Sequence, residues 1–153
     1  MQWKKSGPAF DPEKASAYWI NRASRALLRI HEERLRPLGF GMSHLPVLFA
    51  LEEKEPLSQK ELARIARVEQ PTMAEALARM ERDGIVEREV NPDDKRGSLL
   101  SLSRRARAGL DDVKAALTLG ERDATAGLSA KEKAQLVELL RKVSGNLEGS
   151  RED

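Results

Sequence analysis

The sequence predicts a mainly α-helical chain that carries one small β-hairpin. Three observations point there. Residues 57–84 hold two successive short helical patterns, each with start and stop residues in place. Residues 85–90 and 98–102 then read as strands on either side of a turn cluster. The stretches on both sides, 8–40 and 103–148, carry apolar stripes at helical spacing.

Taken in order, Asp11 and Pro12 open the first helix as cap and first helical residue. Its stripe is Trp19, Ala23, Ala26, Leu27 and Ile30, and it ends before Pro37-Leu38-Gly39. A second helix is expected over 43–53, with Ser43 as cap and Leu45, Leu48 and Phe49 facing inward. Glu52-Glu53-Lys54-Glu55-Pro56 stops it. Ser58 and Glu61 stand at capping-box spacing, with Leu57 and Leu62 placed as a hydrophobic staple, so a third helix starts at Ser58 and ends near Arg67. The fourth has Pro71 in its first turn and Gly84 at its close. Met73, Leu77 and Met80 form its buried stripe, leaving Thr72, Glu75, Arg79 and Arg82 on the opposite face.

Ile85-Val86-Glu87-Arg88-Glu89-Val90 alternates as a half-exposed strand. Asn91-Pro92-Asp93-Asp94 turns, Lys95-Arg96-Gly97 form the tip, and Ser98–Leu102 returns. Ser103 caps a long helix reaching about residue 122, with a break or bend near Gly120. Gly127-Leu128 is a turn, and Ser129 with Glu132 makes a second capping box. The last helix carries Leu136, Leu140, Val143 and Leu147, widened by Leu139, and Gly145 weakens its final turn. The tail from Gly149 to Asp153 is expected to fray.

Composition narrows the function. A chain of 153 residues fits one domain and can bury roughly 70% of its unfolded surface. Without cysteine there is no disulfide, thiol catalysis or Cys-ligated metal, and two histidines alone cannot hold a metal. No cofactor is implied. Catalytic constellations are missing too: no nucleophile-base pair or glycine-rich phosphate loop stands out, which argues against an enzyme. No apolar run follows Met1–Pro8 or approaches the roughly 20 residues of a membrane span, so a soluble cytoplasmic protein without membrane contact is expected. Net charge is only +2 with pI about 9.0, so the distribution of charge says more than its sum. From residue 95 to residue 110 the chain holds Lys95, Arg96, Arg104, Arg105 and Arg107 and no acid. Such a patch suits phosphate.

Helix, turn, helix and a hairpin tipped with cations make a winged helix-turn-helix. In that arrangement the second helix of the motif can enter a major groove roughly 12 Å wide while the wing reaches phosphates or the minor groove. The stretch from Leu57 to Leu110 resembles the DNA-binding lobe of the MarR family of bacterial transcriptional regulators. The residues that carry the resemblance are Val68-Glu69-Gln70-Pro71-Thr72-Met73, Arg79-Met80-Glu81-Arg82-Asp83-Gly84-Ile85-Val86, Asp94-Lys95-Arg96 in the wing, and Leu102-Ser103-Arg104-Arg105-Ala106.

The resemblance implies one MarR-like domain over 1–153. Its winged-helix lobe covers 41–102, and helical dimerisation arms cover 8–40 and 103–148. It further implies a homodimer that sets two recognition helices one DNA turn apart, about 34 Å, on a pseudo-palindromic double-stranded site. Gln70, Pro71 and Thr72 are the candidates for base edges and phosphate, Arg79 for backbone contact, and Ser58 and Gln59 for phosphate. Arg96, with Lys95 beside it, is the wing contact, and Asp94 is placed to hold its guanidinium. Glu75 stands where many family members carry a basic residue, so it either accepts from cytosine N4 or stays out of the groove. Family regulators often release DNA on binding a small aromatic or phenolic effector. Near the corresponding crevice stand Trp19, Ala23, His31, Met42, His44 and Leu48, each of which core packing or a surface position also explains. The expected activity is a repressor. A winged-helix protein-interaction module and a non-specific architectural DNA binder remain the alternatives at this point.

Overall fold

Six helices and three short strands follow one another in a computed structural model that describes residues 10–149. The readings of Met1–Pro8 and of the tail beyond Gly149 fall outside the described residues. The helices are α1 (Ser16–Leu35), α2 (Leu45–Glu53), α3 (Gln59–Ala66), α4 (Gln70–Arg82), α5 (Arg104–Ala124) and α6 (Ala130–Gly149). The strands are β1 (Leu57–Ser58), β2 (Val86–Val90) and β3 (Ser98–Leu102). The architecture is mainly helical, with a winged helix-turn-helix at its centre.

Local chemistry accounts for most boundaries. Asp11 caps as expected, its Oδ1 accepting from the Glu13 N–H at 3.2 Å. The turn it caps is a short 3-10 segment, Pro12–Lys14, closed by i→i+3 bonds; Ala15 is extended, and α1 starts only at Ser16. Ser43 is not the cap of α2. The His44 Nδ1 accepts the Gly41 N–H at 3.1 Å and the Glu32 Oε1 accepts the Met42 N–H at 2.7 Å, so Ser43 sits inside a 3-10 turn and α2 begins at Leu45. At α3 both halves of the Ser58–Glu61 capping box form, at 3.2 and 2.8 Å. The Ser58 N–H, in donating to the Glu61 carboxylate, holds that carboxyl below the ordinary glutamate value. Arg67 closes α3 in the left-handed conformation, φ 55°. Gly84, φ 72°, turns the chain out of α4.

The sheet has order β1-β3-β2, all antiparallel, with Leu57 opposite Leu100 and Val86 opposite Leu102. The sequence pattern missed β1, a strand of two residues whose Ser58 also serves as the cap of α3. The expected alternation of the first hairpin strand also differs. Ile85 and Val86 are both buried, and everything from Glu87 to Val90 is exposed.

The chain divides into two compact units after Leu117. In the first, one core gathers Leu35 and Phe40, Leu45, Val47, Leu48 and Leu51 of α2, Leu62 of α3, Met73, Leu77 and Met80 of α4, Leu100 and Leu102 of β3, and Ala106, Leu110 and Val113 of α5. Ser103 joins two neighbours at the root of the hairpin. Its hydroxyl donates to the Gly84 carbonyl at 2.7 Å and accepts the Ala106 N–H at 3.0 Å, the cap expected for α5. In the second unit α5 continues as helix through Gly120, so no break in the helix falls there. Gly127, φ 84°, makes the turn, and Ser129 and Glu132 form the second capping box at 2.7 and 3.2 Å. α6 buries none of its residues, and Leu147 is 67% exposed.

Candidate nucleic-acid interface

α4 presents the face the pattern assigned to it. With Met73, Leu77 and Met80 buried, Pro71, Thr72, Glu75, Arg79 and Arg82 stay exposed. No side chain caps its start at Glu69. First-turn N–H groups without a side-chain partner are the natural seat of a phosphate.

Beside the start of α4 opens a cleft of about 480 Å³. Ser58, Gln59 and Lys60 line it from the β1–α3 corner, Gln70 from α4, and Arg88, Asn91, Asp94, Arg96, Gly97 and Ser98 from the hairpin. Its walls thus bring together five of the residues singled out from the sequence: Ser58, Gln59, Gln70, Asp94 and Arg96. Pro71, Thr72, Glu75 and Lys95 are exposed but line no part of it, and Arg79 lies elsewhere on α4.

The hairpin tip is ordered by its own side chains. Asn91 Oδ1 accepts the Asp93 N–H and Asp94 Oδ1 accepts the Arg96 N–H, both at 3.0 Å, while the Gly97 N–H reaches the Asp94 carbonyl. Asp94 therefore holds the backbone of Arg96 rather than its guanidinium, which corrects the sequence expectation. The reason is geometric: a carboxylate two residues before an N–H in a tight turn meets that N–H first. The Arg96 side chain is left exposed at the tip.

The family model for MarR regulators matches residues 38–97, the stretch that builds α2, α3, α4, β2 and the hairpin tip and stops short of β3. Among solved structures, a point mutant of MarR from E. coli complexed with operator DNA is similar at 28% identity, covering 83% of this chain and 91% of that one with a TM-score of 0.75. The chain is similar to MarR-family regulators in this stretch. A probable transcriptional regulator from Pseudomonas aeruginosa is similar at 27% identity over 86% of this chain and 98% of that one, TM-score 0.76. The transcriptional repressor CouR, bound to a 23-mer DNA duplex, shares the fold at 22% identity, TM-score 0.77, covering 86% of this chain and 94% of that one.

A MarR-family reading also asks where Trp19, His31, Met42 and His44, four of the six effector candidates, lie. Trp19 is 51% exposed, its indole N–H donating to the Glu13 carbonyl at 2.7 Å and its ring meeting Tyr18 edge-on. His31 is buried, and neither ring nitrogen has a hydrogen-bond partner among the described residues. Met42 packs half-buried against the core. His44 lines a cavity of about 420 Å³ with Ser43, Ala76, Arg79, Met80 and Asp83. The other three line none of that cavity. Burial holds His44 below the ordinary histidine value, opposed by the charges of Asp83 and Glu32 and assisted by Arg105 and Arg79. The neutral ring is the form that can accept the Gly41 N–H.

Sequence reading missed Lys60, Arg88, Asn91 and Ser98 in the cleft. A signal for Arg88 existed: on a period of two it shares the inner face of β2 with buried Val86. A cation at an inward position calls for a partner.

Proposed function

We propose that this chain is a regulator of the MarR family that binds double-stranded DNA sequence-specifically as a homodimer. It represses transcription from a pseudo-palindromic operator and releases it when a small aromatic or phenolic effector binds. The observation that carries the reading is the cleft in which Ser58, Gln59, Gln70 and Arg96 converge from three elements beside the exposed face of α4. Gln70, Pro71 and Thr72 meet base edges or a phosphate, Ser58 and Gln59 a second phosphate, and Arg79 the backbone. Arg96, flanked by Lys95, enters the adjacent groove from a tip that Asp94 shapes. Glu75, exposed in mid-helix, disfavours phosphate and sets base preference toward cytosine or stands clear.

The division into a winged-helix lobe and helical arms belongs to this reading, as does work in the cytoplasm; among the described residues no helix is long and apolar enough to cross a membrane. The relative solved with operator DNA supports the DNA target. For the effector, the support is His31: a buried imidazole without a partner is uncommon and is accounted for by a polar group brought in from outside. A ligand acts only by preferring one spacing of the two recognition helices.

The test is a fluorescence-anisotropy titration against the DNA flanking the gene and against a scrambled duplex, at low and physiological salt. Tighter binding to the native duplex establishes sequence-specific regulation. Equal, steeply salt-dependent binding to both points to architectural binding, and no binding to either points to a protein-interaction module. Release of the bound duplex by a panel of phenolic acids, lost in His31→Leu, checks the effector.

A further inference from the structure

The wing and α4 are separate elements, and DNA can engage both only if the angle between them is fixed. Buried contacts hold the hairpin at its root, through Val86, Leu100 and Leu102, and then stop: Val90, two positions further along the inner face, is 71% exposed. β1 pairs β3 only at Leu99 and Leu100, so from Val90 and Ser98 to the tip the hairpin is a two-stranded ribbon held by its own ladder, which twists easily. Between Val86 and Val90 stands Arg88. Its Nε donates to Glu81 Oε2 at 3.1 Å, on the last turn of α4, and its Nη1 donates to Ser98 Oγ at 2.5 Å, on the first residue of β3. The side chain is 29% exposed. One planar guanidinium thus spans α4, β2 and β3. A rigid fork of donors suits two fixed partners at once, which a lysine cannot reproduce.

We propose that Arg88 is the positioning residue that locks the wing to the recognition helix, so that Arg96 and the α4 face address the same stretch of DNA. A half-exposed ion pair adds little to folding; its effect here is on geometry. The inference rests on the reading that wing and helix both touch DNA. Because Arg88 also lines the cleft, the rival role is a direct phosphate contact. The two roles differ in what Glu81 does. If Arg88 is a strut, removing Glu81 loosens the wing and weakens binding. If Arg88 simply meets phosphate, removing that carboxylate frees a cation, takes a negative charge from the interface and tightens binding.

The experiment measures affinity and salt slope of the full-length protein for a duplex recovered by selection from a randomised pool. The variants are Arg88→Ala, Arg88→Lys, Glu81→Ala, Arg96→Ala and the double variant Arg88→Ala/Arg96→Ala. The expected result is a roughly tenfold loss for both Arg88 variants and for Glu81→Ala. Once Arg96 is gone, Arg88→Ala should cost little more, because the wing no longer contributes. Glu81→Ala binding as tightly as wild type or tighter, or Arg88→Lys binding as wild type, overturns the strut. So does a double loss equal to the product of the single losses with a further drop in salt slope. Should Arg88→Ala melt at low temperature, Glu81→Ala and Arg88→Lys decide alone. An unchanged affinity for Arg96→Ala, or no selected duplex, instead overturns the wing or DNA reading beneath the inference.

Discussion

Two residues allow sharp tests. Arg96 stands exposed on a tip whose backbone Asp94 and Asn91 fix, and on the proposed reading its guanidinium meets a phosphate or the minor groove. Arg96→Ala should lower operator affinity about tenfold and reduce the salt slope by about 1, without changing the melting temperature. Asp94→Ala should lower affinity as well, through a disordered tip, while keeping the salt slope. His44 carries a pH dependence with a definite sign. Its folded value lies below the ordinary 6.5 because of burial, so between the two values the unfolded chain binds more protons. Stability is complete above about 6.5 and falls as pH drops toward the folded value, because the unfolded chain takes up a proton that burial keeps off the folded ring. Thermal melts across that range should show a steeper decline for wild type than for His44→Gln, whose amide oxygen accepts at any pH.

At the level of elements, close packing between α5 and the linker ahead of α2 gives the strongest prediction. A Cβ on Gly109 would lie 2.7 Å from Phe40 Cε2, and the same ring is covered on another side by the Arg105 guanidinium, whose Nη2 donates to the Asp83 carbonyl at 2.9 Å. The ring has little room to retreat. Gly109→Ala should therefore destabilise the fold by about 1–3 kcal/mol despite its better helix propensity, as urea denaturation would measure. Elements like α3, α4 and α5 were legible because each has its start written locally, in Ser58 with Glu61, Pro71 and the Ser103 Oγ cap, and α4 has its stop in Gly84 as well. What was not legible depends on partners distant in sequence. Ser43 looks like a cap until Glu32, from α1, takes the Met42 N–H and His44 turns back on Gly41. Two-residue β1 exists only because Leu100 and Leu99 lie opposite it. In the cleft, Ser58, Gln70 and Arg96 follow from motif positions, whereas Arg88 and Ser98 become meaningful only through strand register and the reach of Glu81.

For the whole molecule the informative element is α6, which buries none of its residues. A 20-residue helix with Leu136, Val137, Leu139, Leu140 and Leu147 all exposed pays a solvation cost that a lone chain has no reason to carry. On the proposed reading this face is buried against a second copy, and the two DNA-reading lobes then stand about 34 Å apart, the spacing of one helical turn. Light scattering at micromolar concentration should thus give twice 17.1 kDa. Leu140→Arg, placing a charge within the stripe, should give the single-chain mass while leaving the winged-helix core folded, since that core draws its residues from the other unit. On a two-half-site operator the variant should bind at least a hundredfold more weakly, because the second lobe no longer arrives tethered to the first. On a duplex with one half-site, wild type and variant should bind nearly alike. That contrast separates a lost dimer from a damaged reading surface: a variant equally weak on both duplexes would mean that the leucine stripe supports the lobe itself, and that α6 is not the dimer arm.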